Sequence, residues 1–273
     1  MANQITRDFV HTLQWGDSKD ALDLLLNNGA NIDVNWINTD DAIGRSPLHW
    51  ACQIKCEKIA KVLLASAGIN VNIKNAKGKT PFNQLCECNN VKVLKLLLDD
   101  PRVDTTLDDN EGCTPMWNAS YHANMHVVEL IIASGRDLGD WNKKSTYHPP
   151  TGYRAIDVAR AWNHIEYIPF LESFIANPAK TRLRLHTKFD MKNELCADIF
   201  SLIVFNCDGL LCLNPGSKKE TPKVRFFSIT NKLPMELQML VCHFVTGSDK
   251  EFVSSKDLES SLKLLARSLH KVQ

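Results

Sequence analysis

The sequence carries none of the short motifs that announce catalysis. Gly-x-Ser-x-Gly, Gly-x-Gly-x-x-Gly, a phosphate loop ending in Lys-Ser/Thr and His-Glu-x-x-His are all missing. The usual anchors for acyl transfer, dinucleotides, nucleotide phosphates and catalytic zinc are therefore absent. Adjacent acids occur at Asp99/Asp100 and Asp108/Asp109, but in turn-like stretches where paired carboxylates are solvated. Net charge is nearly absent: 32 Lys/Arg against 31 Asp/Glu leave +1, which argues against a whole-protein polyanion binder. The balance is uneven, with 15 basic against 10 acidic residues from Ala176 on and 17 against 21 before it.

Long apolar runs are missing too. The longest, Ile199 to Phe205, is bounded by Asp198, Asn206 and Asp208 and falls well short of the roughly 20 residues a membrane span needs. Met1 to Trp15 has no basic start followed by an apolar run, so no secretory leader is expected. The nine cysteines are odd in number and not spaced as a secreted disulfide framework; free thiols in a reducing compartment, cytoplasmic or nuclear, are expected. Cys86-x-Cys88 and Cys52-x-x-x-Cys56 lack the second Cys/His pair of a zinc site. No metal and no cofactor is expected.

What is present is a repeat. Arg45-Ser46-Pro47-Leu48-His49-Trp50-Ala51 is followed 34 residues later by Lys79-Thr80-Pro81-Phe82-Asn83-Gln84-Leu85, and 34 later again by Cys113-Thr114-Pro115-Met116-Trp117-Asn118-Ala119. Gly44, Gly78 and Gly112 precede them in step. Ser or Thr can cap a helix, and proline suits its first position. Glycine permits the left-handed backbone of a tight turn. Apolar residues then recur at helical spacing, as Ile59, Val62, Leu63 and as Val93, Leu96, Leu97. Each unit reads as a turn, a short helix and a longer helix. One unit cannot bury its own apolar face, so neighbours must stack.

These segments resemble the ankyrin repeat, whose period is about 33 with a Thr-Pro-Leu-His-x-Ala core. The resemblance implies an all-α solenoid of about five repeats, each a helix-turn-helix with a β-turn finger. The expected repeats span 1–35, 43–72, 76–104, 110–138 and 151–175, an array over 1–176. The first is a capping repeat without the Thr-Pro start, with Gly29 expected to supply a left-handed cap. The fifth starts at Arg154, 40 residues after the previous motif, with six extra residues within Asp140 to Gly152. Pro169 should shorten or bend its outer helix. In the family a histidine ties neighbouring turns together; only His49 keeps it, with Asn83, Trp117 and Asp157 at the matching positions. That predicts a less regular, less stable array.

From Asn177 the period disappears. A small helical module over 177–273 is expected to pack on the last repeat. It would hold a basic helix with Lys180, Arg182, Arg184 and Lys188, a buried helix over Leu195 to Asn206, a strand or connector at Val224 to Ile229, an apolar helix after Leu233, and a final helix from Ser255.

Ankyrin repeats imply a protein partner, met by the finger tips and the exposed side of the inner helices. The tips alternate in sign: Asp40, Asp41 and Arg45; Lys74, Lys77 and Lys79; Asp108, Asp109 and Glu111; Lys143 and Lys144. At the inner-helix ends Ile54, Tyr121 and Trp162 are apolar or aromatic where polar residues would suffice, and aromatic anchors are enriched at hot spots. The expected partner-binding set is Arg45, Ile54, Lys77, Lys79, Asp109, Glu111, Tyr121, His122 and Trp162, in a monomer that binds no nucleic acid or membrane and is not an enzyme. An alternative comes from Leu233-Pro234-Met235-Glu236-Leu237, which resembles the opening of an F-box. It would make the chain a substrate adaptor of a ubiquitin ligase.

Overall fold

The computed structural model describes residues 4–147, 152–207, 230 and 235–246. The chain divides into two compact units, Met1–Leu171 and Glu172–Gln273.

The first unit stacks helix pairs. These are α1 (Gln4–Trp15) with α2 (Ser18–Asn28), α3 (Pro47–Gln53) with α4 (Glu57–Ala65), α5 (Pro81–Cys88) with α6 (Val91–Asp99), and α7 (Pro115–Tyr121) with α8 (Met125–Ala133). α9 (Ala155–Ala161) follows, and α10 (Tyr167–Ala176) runs across the division at Leu171 and Glu172. The first helices of the pairs form an inner row, α1 on α3, α3 on α5, α5 on α7 and α7 on α9. The second helices form an outer row, α2 on α4, α4 on α6 and α6 on α8. Between the rows run buried Leu48, Leu63, Leu85, Leu97, Ala119 and Ile131. Burying a leucine this fully contributes about 1.5–3 kcal/mol.

The helix starts work as their residues require. The Thr80 and Thr114 hydroxyls accept the Asn83 and Trp117 N–H groups, both at 3.2 Å. Ser46 uses His49 instead, whose Nδ1 accepts the Ser46 N–H at 3.3 Å. In the fifth repeat the Asp157 carboxylate accepts the Arg154 N–H at 3.3 Å and holds the Arg154 guanidinium at 2.7 Å.

The fingers have a rule of their own. Asp41, Asn75 and Asp109 stand 34 apart. Each uses its side-chain oxygen to accept the backbone N–H groups two and four residues on, at 2.9–3.2 Å. Gly44, Gly78 and Gly112 then turn the chain at φ 65, 74 and 70. Finger joins finger through the backbone: Ala76 N–H to Ile43 O, Asn110 N–H to Lys77 O and Thr146 N–H to Glu111 O, at 2.7–3.0 Å.

The family's histidine tie is kept by other chemistry. His49 Nε2 donates to Lys79 O at 2.8 Å, Asn83 Nδ2 to Leu107 O at 3.0 Å and Trp117 Nε1 to Tyr153 O at 2.9 Å. In these three repeats an N–H donor at that position reaches the next finger, while Asp157, at the fourth, holds Arg154 instead. A second set runs backward at the helix ends. Asn124 Nδ2 donates to Cys86 O at 2.7 Å, and His164 Nε2 to Tyr121 O at 3.1 Å.

Two expectations are corrected here. Gly29 is not left-handed; its φ is −52 and it opens a 3-10 turn, Gly29–Asn31, closed by Ile32 N–H on Gly29 O. The shortening expected from Pro169 is not seen, since α10 has 10 residues against nine in each of α4, α6 and α8. Pro169 is the third residue of α10, in the first turn, where the missing N–H has no intrahelical partner to lose.

In the second unit Asn177 caps α11 (Pro178–Lys188), its side-chain oxygen accepting Lys180 N–H at 2.9 Å. α12 (Lys192–Cys207) and α13 (Met235–Thr246) pack on each other around Cys196, Phe200, Ile203 and Cys242. The expected basic stripe is corrected: Arg182 is buried, and its Nε donates to His186 Nε2 at 3.2 Å. The strand at Val224 to Ile229, the Leu233-Pro234 opening and the helix from Ser255 lie outside the described residues.

Candidate functional site

Helical spacing builds the centre of the site. Trp117 and Tyr121 are four apart on α7 and so share a face. Their rings stack at 5.2 Å and 11°. The indole is held in place because its Nε1 is committed to Tyr153 O in the fifth finger. Tyr147, from the same finger, meets both rings edge-on, at 5.5 Å to Trp117 and 5.8 Å to Tyr121. Trp162 comes from the end of α9 and tilts against Tyr121 at 5.1 Å, with Tyr153 edge-on behind it at 6.1 Å. Trp162 remains 36% exposed.

Beside these rings opens a cleft of about 500 Å³, walled by fingers three and four, the end of α5, α7 and Tyr147. Lys79 and Glu87 pair across its floor, with the Asp109 carboxylate 3.9 Å from the same ammonium. Burial works against the charged Lys79. The Glu87 carboxylate, with Asp109 behind it, more than offsets that and holds the lysine above its ordinary pKa. His122, edge-on to Tyr121 at 5.0 Å, is pushed the other way. Partial burial lowers its pKa, Glu87 raises it and Lys79 lowers it, with a net downward result. The Cys113 thiol, also in the cleft wall, is pushed up to about 12 by burial, then by Asp109 and Glu111. Among the described residues no group of three or more His, Cys, Asp or Glu could hold a metal, and no helix is long and apolar enough to cross a membrane.

Of the expected partner-binding residues, Lys77, Lys79, Asp109, Glu111, Tyr121 and His122 line this one cleft, and Trp162 touches it through Tyr121. Two lie elsewhere. Arg45 lays its guanidinium over the Trp50 ring at 4.4 Å, 3.6 Å from Asp41. Ile54 is half-buried at the end of α3. Asp109 needs a correction. It is not a tip charge offered to solvent but is 7% exposed, with one oxygen spent on the turn. The alternation of tip signs is also partly internal. Lys143 pairs with Asp108, and Lys74 Nζ donates to Asp108 O at 2.8 Å. The sequence reading missed Glu87, Trp117 and Tyr147 as site residues. The four-residue aromatic spacing of Trp117 and Tyr121 was the signal available.

Family comparison agrees with this architecture. Models of ankyrin repeats match residues 9–75 (described as three copies) and 63–116 (described as many copies). No match was found among curated proteins. The finger and helix-pair pattern continues past the matched span to α9. Ankyrin repeats in general mediate protein–protein interaction and are not enzymes. The turn glycines, the Ser/Thr-Pro helix starts and the matched models together show that residues 9–116 of this chain are ankyrin repeats.

Proposed function

We propose that the chain is a non-catalytic recognition module that holds a protein partner across the fingers and inner-helix ends of repeats three to five. One observation carries this reading. Trp117, Tyr121 and Tyr147 line an open cleft, and Trp162 leans on Tyr121 beside it; Trp117 is itself buried, while Trp162 stays 36% exposed. Aromatic rings kept partly in water, next to charged groups held in fixed geometry, are what a hot spot requires. The Cys113 thiol in the cleft wall is pushed up by burial, away from the reactive thiolate. The F-box-like opening adds nothing to this reading, because Leu233 and Pro234 fall outside the described residues.

The test is Trp162→Ala in the full chain. Partner recovery by quantitative affinity mass spectrometry is expected to fall about 30-fold, the effect of a roughly 2 kcal/mol hot spot. The melting temperature should change by only a few degrees, because the ring is 36% exposed. Unchanged recovery, or a loss that merely tracks melting, would refute the proposal.

A further inference from the structure

Resting on that reading of the cleft, we infer that its occupant is an arginine side chain on an extended segment of the partner. The charge balance points this way. Glu87, Asp109 and Glu111 line the cleft against Lys77 and Lys79. Lys79 is already engaged by Glu87 and Asp109. Glu111 is exposed at the rim, and its carboxylate makes no ion pair among the described residues. The cleft therefore carries three carboxylates for two ammonium groups, so an incoming cation is favoured over an anion.

The rings add direction. An aromatic face is electron-rich and attracts a cation, most strongly where water is thin. Tyr147 stands at 74° to Trp117 and 84° to Tyr121, so the rings form a corner, not a flat wall. A guanidinium can lie on one face of such a corner while its N–H fork reaches a carboxylate in its own plane; an ammonium has no such plane. The same pairing occurs within this chain, in the next-but-one inner helix, where Arg45 covers Trp50 at 4.4 Å.

The backbone of the occupant has a mark as well. Asn118 lines the cleft, is 2% exposed, and its Nδ2 has no hydrogen-bond partner. A buried amide donor left alone is destabilising, and a peptide carbonyl is the acceptor that would relieve it. At about 500 Å³ the cleft has room for more than one side chain.

The experiment titrates the full chain, isotopically labelled, with four acetylated and amidated pentapeptides Gly-Ser-X-Ser-Gly, where X is Arg, Lys, Gln or Glu. NMR follows the Trp117 and Trp162 indole N–H signals. The arginine peptide should shift both saturably, at least threefold more tightly than the lysine one, and the Gln and Glu peptides should not shift them. Glu111→Gln, a change at an exposed carboxylate, should weaken the arginine peptide at least threefold. Lys77→Ala should tighten it by a similar factor, a gain that no folding defect can imitate. Equal response to all four peptides, preference for Glu, or weakening by Lys77→Ala would overturn the inference. If Trp162→Ala abolishes partner recovery while no peptide discriminates, the recognition face stands and the arginine occupant falls. If neither effect is seen, both fall.

Discussion

Acid should loosen this array through one residue, His49. Its ring is fully buried, with Nε2 donating to Lys79 O at 2.8 Å and Nδ1 facing the Ser46 N–H and hydroxyl at 3.3 and 2.8 Å. Burial first, and then the Arg45 charge, outweigh the help of the Lys79 carbonyl and lower its pKa from 6.5 to about 4. In the unfolded chain the imidazole takes up a proton below pH 6.5; in the folded chain it refuses one until about pH 4. The unfolded state therefore binds more protons in this window, so stability is intact above pH 6.5 and is lost as pH falls through it. With 1.36 kcal/mol per pH unit, the loss from this residue is about 2 kcal/mol between pH 7 and pH 5 and about 3 kcal/mol by pH 4. The carboxylates lowered by their partners, such as Asp100 and Asp157, add an acid loss of their own, so a control is needed. Asn83 shows that asparagine can make the same bridge to the next finger, at 3.0 Å. His49→Asn thus keeps a donor and removes the titration. Urea unfolding followed by circular dichroism, from pH 7.5 to 4.5, should show the wild type losing stability more steeply than His49→Asn. Parallel acid slopes for the two proteins would refute the reasoning.

Other expectations follow from the fingers and the core. Gly78→Ala should cost at least 2 kcal/mol more than Gly68→Ala in urea unfolding, an order-of-magnitude difference from overpacking. Both glycines have φ near 75, but a Cβ at Gly78 runs into Asn110, with its backbone nitrogen at 2.7 Å, while Gly68 opens on free space. Asp109→Ala should cost about 1–2 kcal/mol by losing acceptors for two backbone N–H groups, whereas Glu111→Ala should stay within about 0.5 kcal/mol; equal effects would contradict the turn role given to Asp109. Cys52 and Cys86, buried and pushed upward by that burial, should react with Ellman's reagent only on unfolding. Rapid modification of the native chain at either one would place it outside the core.

The repeat was legible because its signals are local and periodic. Glycine before Ser/Thr-Pro, at a fixed spacing of 34, needs no knowledge of the neighbours. The Asp41, Asn75, Asp109 column is equally visible in sequence but resembles surface charge, because two of its three members are acids. Only their hydrogen bonds show that asparagine and aspartate do the same work there. Gly152, two residues before Arg154 and left-handed at φ 61, is the fifth turn's glycine, hidden by the insertion that displaces it. Trp117 differs from the family's histidine in size and chemistry, so sequence alone does not show that its indole N–H donates to Tyr153 O. The cleft itself was legible only in part. Its floor joins residues from four segments, and Tyr147 enters from a stretch whose period is broken.

The displaced fifth turn has a further meaning. Asn75 N–H reaches Lys79 O and Asp109 N–H reaches Cys113 O, each four residues on, while Ser145 N–H reaches Tyr153 O, eight on. Four of the six extra residues lie beyond Thr146, whose N–H and hydroxyl are both tied to Glu111 O. Growth at this point is cheap, because doubling a loop adds only about 0.6 kcal/mol of closure entropy and no bond between repeats has to be remade. Selection, or an engineer, can thus rewrite the rim above the aromatic corner while leaving the stack beneath it untouched.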